Sequence, residues 1–384
     1  MSDPVPAAGP PPASPDESAP PNAANERFPC KQCAAPMRWD PDADALACDY
    51  CGARVPVPRG EGLIVERPLA DAGQAARGLG LETRVARCAN CGAQVAYDGR
   101  ATATECVFCG SPQVLEQESN RNALRPESLV PLDVGRETVE RSFRAWVGGL
   151  WFRPDALRKL REFRAIGVYV PFWTYDARVH SDWSADAGYY YYVQVPTVVL
   201  VNGKPQMQMR TERRVRWEPA WGARDDAYDD LLVHASRGLP AGLAAKLGTF
   251  DLSKLVPYRP EYLAGWRAEE YALDLATGWN AAQERIVAEQ RSRCSGDVPG
   301  DTQRNLRVHD RISDVRWKHV LLPLWSLTYT HDGRSYAVLI HGQTGRVVGD
   351  APYSWVKILL FVLALLAGLG VSALVLAAVG AASS

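Results

Sequence analysis

Cys30-Lys31-Gln32-Cys33 followed by Cys48-Asp49-Tyr50-Cys51 recurs further along as Cys88-Ala89-Asn90-Cys91 followed by Cys106-Val107-Phe108-Cys109. Residues 34–47 separate the first two pairs and residues 92–105 the second two, so the spacing is the same in both copies. A C-x2-C pair presents two sulfurs from one tight knuckle. Two knuckles supply four thiolates at tetrahedral corners, the ligand set of a closed Zn²⁺ site. Gly52, Gly92 and Gly110 follow the second cysteine of their pairs, where glycine turns the backbone without steric cost; Ala34 takes that place after Cys33. The expectation is two zinc ribbons, at 27–56 and 85–116, with Cys30, Cys33, Cys48, Cys51, Cys88, Cys91, Cys106 and Cys109 as ligands. Iron accepts the same four thiolates. Disulfides need an oxidising compartment. Thioredoxin-like redox pairs need a βαβ setting that neither copy has. With all four sulfurs used, no position is left for water or substrate, so both metals are structural.

The chain has 384 residues, 47% hydrophobic and 23% charged, with a net charge of −1. That balance gives no electrostatic reason to expect binding to nucleic acid or anionic lipid. Neither ribbon has a one-signed basic face: Lys31, Arg38 and Arg54 stand against Asp40, Asp42, Asp44 and Asp49, and Arg87 and Arg100 against Asp98 and Glu105. Phe28, Trp39, Tyr50, Tyr97 and Phe108 read as packing for small ribbon cores. The ninth cysteine, Cys294, falls on the apolar face of a predicted helix with Leu275, Trp279, Ile286 and Val287 and reads as a buried thiol.

Residues 1–26 are rich in proline and alanine and are expected to be disordered, with neither the basic nor the apolar part of a signal peptide. Residues 57–84 read as a linker with a modest helical pattern over Leu69 to Leu79. The block 120–352 reads as α+β: helical spacing over Val139 to Leu150 and over Pro154 to Arg164, then strands over Val168–Ala177, Tyr189–Val201 and Gln206–Trp217. Asn202-Gly203 is a hairpin-turn signal. Residues 218–230 read as a surface loop, with short helices over 240–248 and 260–271. Asp274 is a good N-cap for a helix to about Arg293. A second β section covers Ile312–Thr330, Ser335–Ile340 and Val347-Val348, with turns at Asp332-Gly333 and Gly342–Gly345. Pro171-Phe172-Trp173-Thr174 and Pro323-Leu324-Trp325-Ser326 are alike and suggest a duplication.

Ile358 to Val379 holds no charged residue and is long enough for one transmembrane helix within 355–380. Tyr353 and Trp355 stand at its entry and Lys357 can snorkel there. The preceding domains are then expected in the cytosol, with a tail anchor in the cytoplasmic membrane, where reduced thiols remain free for zinc. Ala364, Gly368 and Ser372 line one face at a spacing of four, a route to a homo-oligomer, with ordinary lipid-facing residues as the alternative.

No G-x4-G-K-S/T phosphate loop, H-E-x-x-H pair or G-x-S-x-G elbow occurs. The six histidines are dispersed, so the chain reads as non-enzymatic. The doubled cysteine pairs resemble the bacterial TFIIB-type zinc-ribbon membrane proteins, a group also labelled as relatives of the primosomal helicase PriA. So do Val170-Pro171-Phe172-Trp173-Thr174-Tyr175-Asp176-Ala177, Leu255-Val256-Pro257-Tyr258, Glu261-Tyr262-Leu263-Ala264-Gly265, His319-Val320-Leu321-Leu322-Pro323 and Gly342-Gln343-Thr344-Gly345. The resemblance spans residues 27–360. It implies a membrane adaptor that recruits a membrane-scaffold partner of the SPFH (flotillin-like) type or an envelope-stress protein. Of its residues only the eight cysteines carry over. Two function classes stand at this point: a tail-anchored adaptor, and a membrane-tethered zinc protein that binds nucleic acid.

Overall fold

The computed structural model describes residues 28–58, 64–79, 83–98, 105–118, 123–159, 164–201, 204–239, 241–332 and 334–382. The first cysteine copy forms its own three-stranded sheet, β1 (Met37–Asp40), β2 (Ala45–Cys48) and β3 (Arg54–Pro56), in that order. All other strands belong to a second sheet. They begin with β4 (Arg67–Pro68), β5 (Thr83–Cys88), β6 (Gln94–Asp98), β7 (Val114–Glu118) and β8 (Ser128–Leu129). Then come α1 (Arg136–Gly149), β9 (Arg164–Val201), β10 (Lys204–His234) and α2 (Ala241–Leu247). β11 (Val256–Pro257), β12 (Arg267–Glu269) and α3 (Leu275–Asp297) follow. The chain closes with β13 (Thr302–His331), β14 (Arg334–His341), β15 (Val347–Gly349) and α4 (Trp355–Ala382).

The α+β character expected from the sequence is present, and the large sheet is mixed: β12 pairs in parallel with β9 and β8 in parallel with β13, and its other pairings are antiparallel. Three strands dominate it. β9 runs for 38 residues, β10 for 31 and β13 for 30. β9 lies between β13 on one side and, on the other, first β12 and then β10. Pro171 falls between the last residue paired with β12, Tyr169, and the first paired with β10, Phe172. A missing N–H is best tolerated at such a changeover. The two similar motifs are neighbours on antiparallel strands, Pro171 opposite Leu321 and Pro323 opposite Tyr169.

The expected surface loop at 218–230 is instead strand. β10 continues through it, pairing Glu218 with Ala187 and Tyr228 with Ala177. Pro219 is accommodated because, among the described residues, β10 pairs only with β9 and its other side is a sheet edge. At Gly222 a Cβ would sit 2.6 Å from the Trp183 ring, so glycine there makes room for the indole. Likewise β13 begins at Thr302, ten residues before the expected start at Ile312. The helix expected over 260–271 is a single 3₁₀ turn at Pro260–Leu263 followed by β12. Of those expected over 154–164 and 69–79, the described residues form 3₁₀ turns at Asp155–Lys159 and Leu69–Gln74, and 160–163 lie outside the described residues. The tail 1–26, Asn202-Gly203 and Gly333 lie outside the described residues, although Val201 pairs with Lys204 across a two-residue connection.

Strand alternation sorts the core onto two faces of β9. Odd residues face α1 (Ala165 with Phe143 and Trp325), then the first cysteine unit (Tyr169 with Trp39 and Tyr262), then α3 (Tyr175 and Ala177 with Ala282 and Ile286). Even residues Val168, Val170 and Phe172 face the second cysteine unit and α2, through Phe108, Ala93 and Leu247. The first cysteine unit therefore covers one face of the sheet, and the second, whose strands belong to the sheet, packs Ala93 and Phe108 on the other. α3 is capped by Asp274, whose carboxylate accepts the Thr277 N–H at 2.8 Å, and it carries Cys294 fully buried.

Candidate metal centres

Each of the four C-x2-C pairs folds by the same two backbone bonds. Cys30 N–H donates to Ala35 O and Ala34 N–H to Cys30 O. Cys48 pairs in this way with Ala53 and Gly52, Cys88 with Ala93 and Gly92, and Cys106 with Ser111 and Gly110, all at 2.8–2.9 Å. The residue after the second cysteine has positive φ in every case: 60° at Ala34, 74° at Gly52, 77° at Gly92 and 69° at Gly110. Three of the four are glycines, as that conformation favours.

These knuckles bring Cys30, Cys33, Cys48 and Cys51 into one group, and Cys88, Cys91, Cys106 and Cys109 into another, all Sγ atoms of a group within 4.8 Å of one another. The closest approaches are Cys30–Cys51 at 3.4 Å, Cys33–Cys48 at 3.5 Å, and Cys88–Cys109 and Cys91–Cys106 at 3.6 Å. Four sulfurs at about 2.3 Å from a central ion stand about 3.8 Å apart, so both groups match the size of a tetrahedral thiolate site for an ion such as zinc. All nine cysteines are free thiols. Backbone N–H groups favour the thiolate. Those of Cys33 and Gln32 lower Cys30 to about 6. Cys106 is lowered to about 5, first by the Cys91 thiol and then by the N–H groups of Cys109 and Phe108.

The groups are anchored differently. The first is clamped from outside the sheet: the Trp39 backbone N–H donates to Ala264 O at 2.9 Å, and the Trp39 ring meets Tyr262 edge-on at 4.7 Å. The second is part of the large sheet, since β6 pairs with β12. Val107 and Phe108 lie in the same core as Leu324 and Leu339, and Ser326 donates its hydroxyl to Val107 O. Of the aromatics expected to fill small ribbon cores, Trp39, Tyr97 and Phe108 are buried, while Tyr50 is exposed.

Glu269 carries no motif, and sequence reasoning missed it. Its buried carboxylate accepts the N–H groups of Arg237 and Gly238 at 3.1 and 2.8 Å, fixing the loop that covers the second group. A Cβ on Gly238 would lie 2.4 Å from the Phe108 ring, so that loop packs directly on the knuckle. Burial pushes Glu269 up to about 7.

Asp176, Asp229 and Asp230 form a third oxygen-bearing group. Within it, Asp230 pairs with buried Lys318, whose Nζ lies 2.7 Å from Asp230 and 3.0 Å from Glu66, and the Asp230 N–H donates to Asp176 at 2.7 Å.

α4 is long and apolar enough to cross a membrane, and none of its Trp355–Ser372 window is buried. Its first turns are tied to the body by Lys357 with Asp155 at 2.6 Å and Phe361 against Phe152 at 5.3 Å.

The chain is similar to a Bacillus subtilis (strain 168) protein described as uncharacterized protein YdjG. The two are 25% identical over 322 residues, which is 71% of this chain and 91% of the other. No family model matches the chain, and no solved structure does.

Proposed function

We propose that this chain is a non-enzymatic membrane adaptor. α4 anchors it in the cytoplasmic membrane, the two cysteine groups are structural Zn²⁺ ribbons facing the cytosol, and the α+β body presents a surface that recruits a protein partner. The observation that carries the reading is the pairing of two closed four-sulfur groups with an apolar helix wholly outside the core. Four protein ligands per ion leave no site for a bound water, so the metals organise the fold and activate nothing. An apolar helix with no protein cover is stable in hydrocarbon and costly in water. The cytosolic orientation accords with reduced cysteines.

The test combines three measurements on the full chain. Elemental analysis should find two zinc ions per chain, membranes should retain the protein through carbonate washing, and crosslinking in cells should capture a protein. Release by carbonate, a metal-free purified chain, or tight binding to DNA or RNA that weakens steeply with salt would each overturn the reading.

A further inference from the structure

β13 leaves β9 at the Thr302–Gly188 pair, and beyond it β9 and β10 run on as a two-stranded ribbon. In that ribbon Pro196, Val198 and Leu200 pair with Met209, Met207 and Pro205, so alternation puts all six on one face. Val198 is 63% exposed, Leu200 75%, Met207 74% and Met209 62%, an apolar surface at the far end of the molecule. Moving back from the tip on that face, Gln194 donates to the Thr211 hydroxyl at 2.9 Å. Next, Tyr192 stands opposite Arg213, whose guanidinium lies 4.3 Å over the Tyr190 ring. The order is apolar, then amide and hydroxyl, then aromatic and guanidinium. A bilayer presents the matching order from hydrocarbon to headgroup.

The local charge points the same way. Residues 189–218 hold Lys204, Arg210, Arg213, Arg214 and Arg216 against Glu212 and Glu218, five minus two or +3, in a chain of net charge −1. Arg214 and Arg216 pair with Glu212 and Glu218 at 3.6 and 3.1 Å, and among the described residues no carboxylate pairs with Lys204, Arg210 or Arg213. We propose that this ribbon docks on an anionic lipid surface, with the six apolar side chains entering the acyl boundary, Arg213 on the same face meeting headgroup phosphates, and Lys204, Arg210, Arg214 and Arg216 on the opposite face adding attraction at longer range. Like charge opposes a second copy tip to tip. Six side chains also fall well short of the roughly 20–30 residues a side of a stable protein interface. A fluid surface needs no matching groove. Phosphate on nucleic acid would engage the arginines and leave the apolar face idle. The proposal does not depend on the metals or on α4.

Hydrogen exchange tests it. The full chain, held in a non-ionic amphipol, would be mixed with phosphatidylglycerol vesicles, phosphatidylcholine vesicles, or DNA and RNA oligonucleotides. The expected result is at least tenfold slower exchange of amides within 190–215 with phosphatidylglycerol alone. This protection should be lost in the Leu200→Asp/Met207→Asp double variant and fall as salt is raised. Both positions are solvent-facing, and unchanged exchange over 165–175 would show that the variant is folded. Four results would each overturn the proposal: equal exchange with and without phosphatidylglycerol, equal protection by phosphatidylcholine, protection by oligonucleotides or by protein concentration, or protection that survives the double substitution.

Discussion

The indole N–H of Trp266 donates to the main-chain oxygen of Trp39 across 2.9 Å, joining the body to the first cysteine unit. The same indole packs edge-on against Trp325 at 5.1 Å and lies over Gly167, where a Cβ would be 2.4 Å from its ring. One side chain thus spans sheet and unit. Trp266→Phe keeps most of the apolar contact and loses the donor, so the expected cost is about 1–2 kcal/mol. Exchange of amides within 37–48 should rise, with exchange in β13 unchanged. Equal loosening of both would mean the tie is not specific to the unit.

Ala34 occupies a conformation that its three counterparts fill with glycine, at φ 60°. A left-handed Cβ costs roughly 1–2 kcal/mol, and part of that is returned by the lower unfolded-state entropy of alanine. Ala34→Gly should therefore stabilise the metal-loaded first unit by about 1 kcal/mol. Resistance to chelator at the first site is the readout, and a weaker site would refute the strain.

The two cysteine groups should fail differently. Cys48→Ser should lose one zinc ion per chain and unfold residues 28–57, leaving the large sheet in place. Cys106→Ser should lose one ion and also destabilise the body, because Phe108 and Val107 share the core of Leu324 and Leu339. Structural zinc contributes on the order of 10 kcal/mol to such units. Thermal unfolding with parallel metal analysis separates the two. Identical melting of both variants would contradict the asymmetry.

His319 is buried, its Nδ1 lies 2.9 Å from Leu124 O, and burial lowers it to about 4. The unfolded imidazole titrates near 6.5. The unfolded chain therefore binds more protons between those values, so this group's stabilisation is complete above pH 6.5 and is lost as pH falls towards 4. The span is about 3 kcal/mol. His319→Gln should flatten that part of the stability–pH curve relative to the natural chain, measured by urea unfolding at several pH values. Parallel curves would exclude His319 as the cause.

Burial pulls the Lys318 ammonium down, but its ion pairs with Asp230 and Glu66 outweigh that and leave its pKa raised. Burial also raises neighbouring Asp176 to about 6. Lys318→Met removes the cation and strands the carboxylates, with an expected loss of about 3 kcal/mol. Adding Asp230→Asn should restore part of it. A double variant no better than the single one would argue that the lysine acts through packing alone.

What the sequence disclosed was local. C-x2-C spacing dictates a knuckle whatever surrounds it, and Asp274 caps α3 because the cap involves neighbours in the chain. Val201 and Lys204 of the long strands, on either side of the turn expected at Asn202-Gly203, do pair. The length of those strands was hidden, because period-2 alternation shows only where one face is buried. Across 219–229 burial does alternate, but the more covered positions include Gly222, Arg224 and Asp226, so no apolar period shows, and Pro219 and Gly222 carry the signature of a turn. Glu269 was hidden for another reason. Its partners Arg237 and Gly238 come from a separate loop, and no spacing announces a carboxylate that serves backbone N–H groups. The packing of the two cysteine units against opposite sheet faces depends on contacts such as Trp39–Tyr262, more than 200 positions apart.

β9 starts beside the segment that grips α4 and ends at the ribbon tip without a break, a contour of about 120 Å at strand rise. A pull on its far end would be borne along the strand axis, with many interstrand bonds sheared at once and none peeled singly. Load applied at the ribbon therefore reaches the neighbourhood of the apolar helix along one unbroken strand.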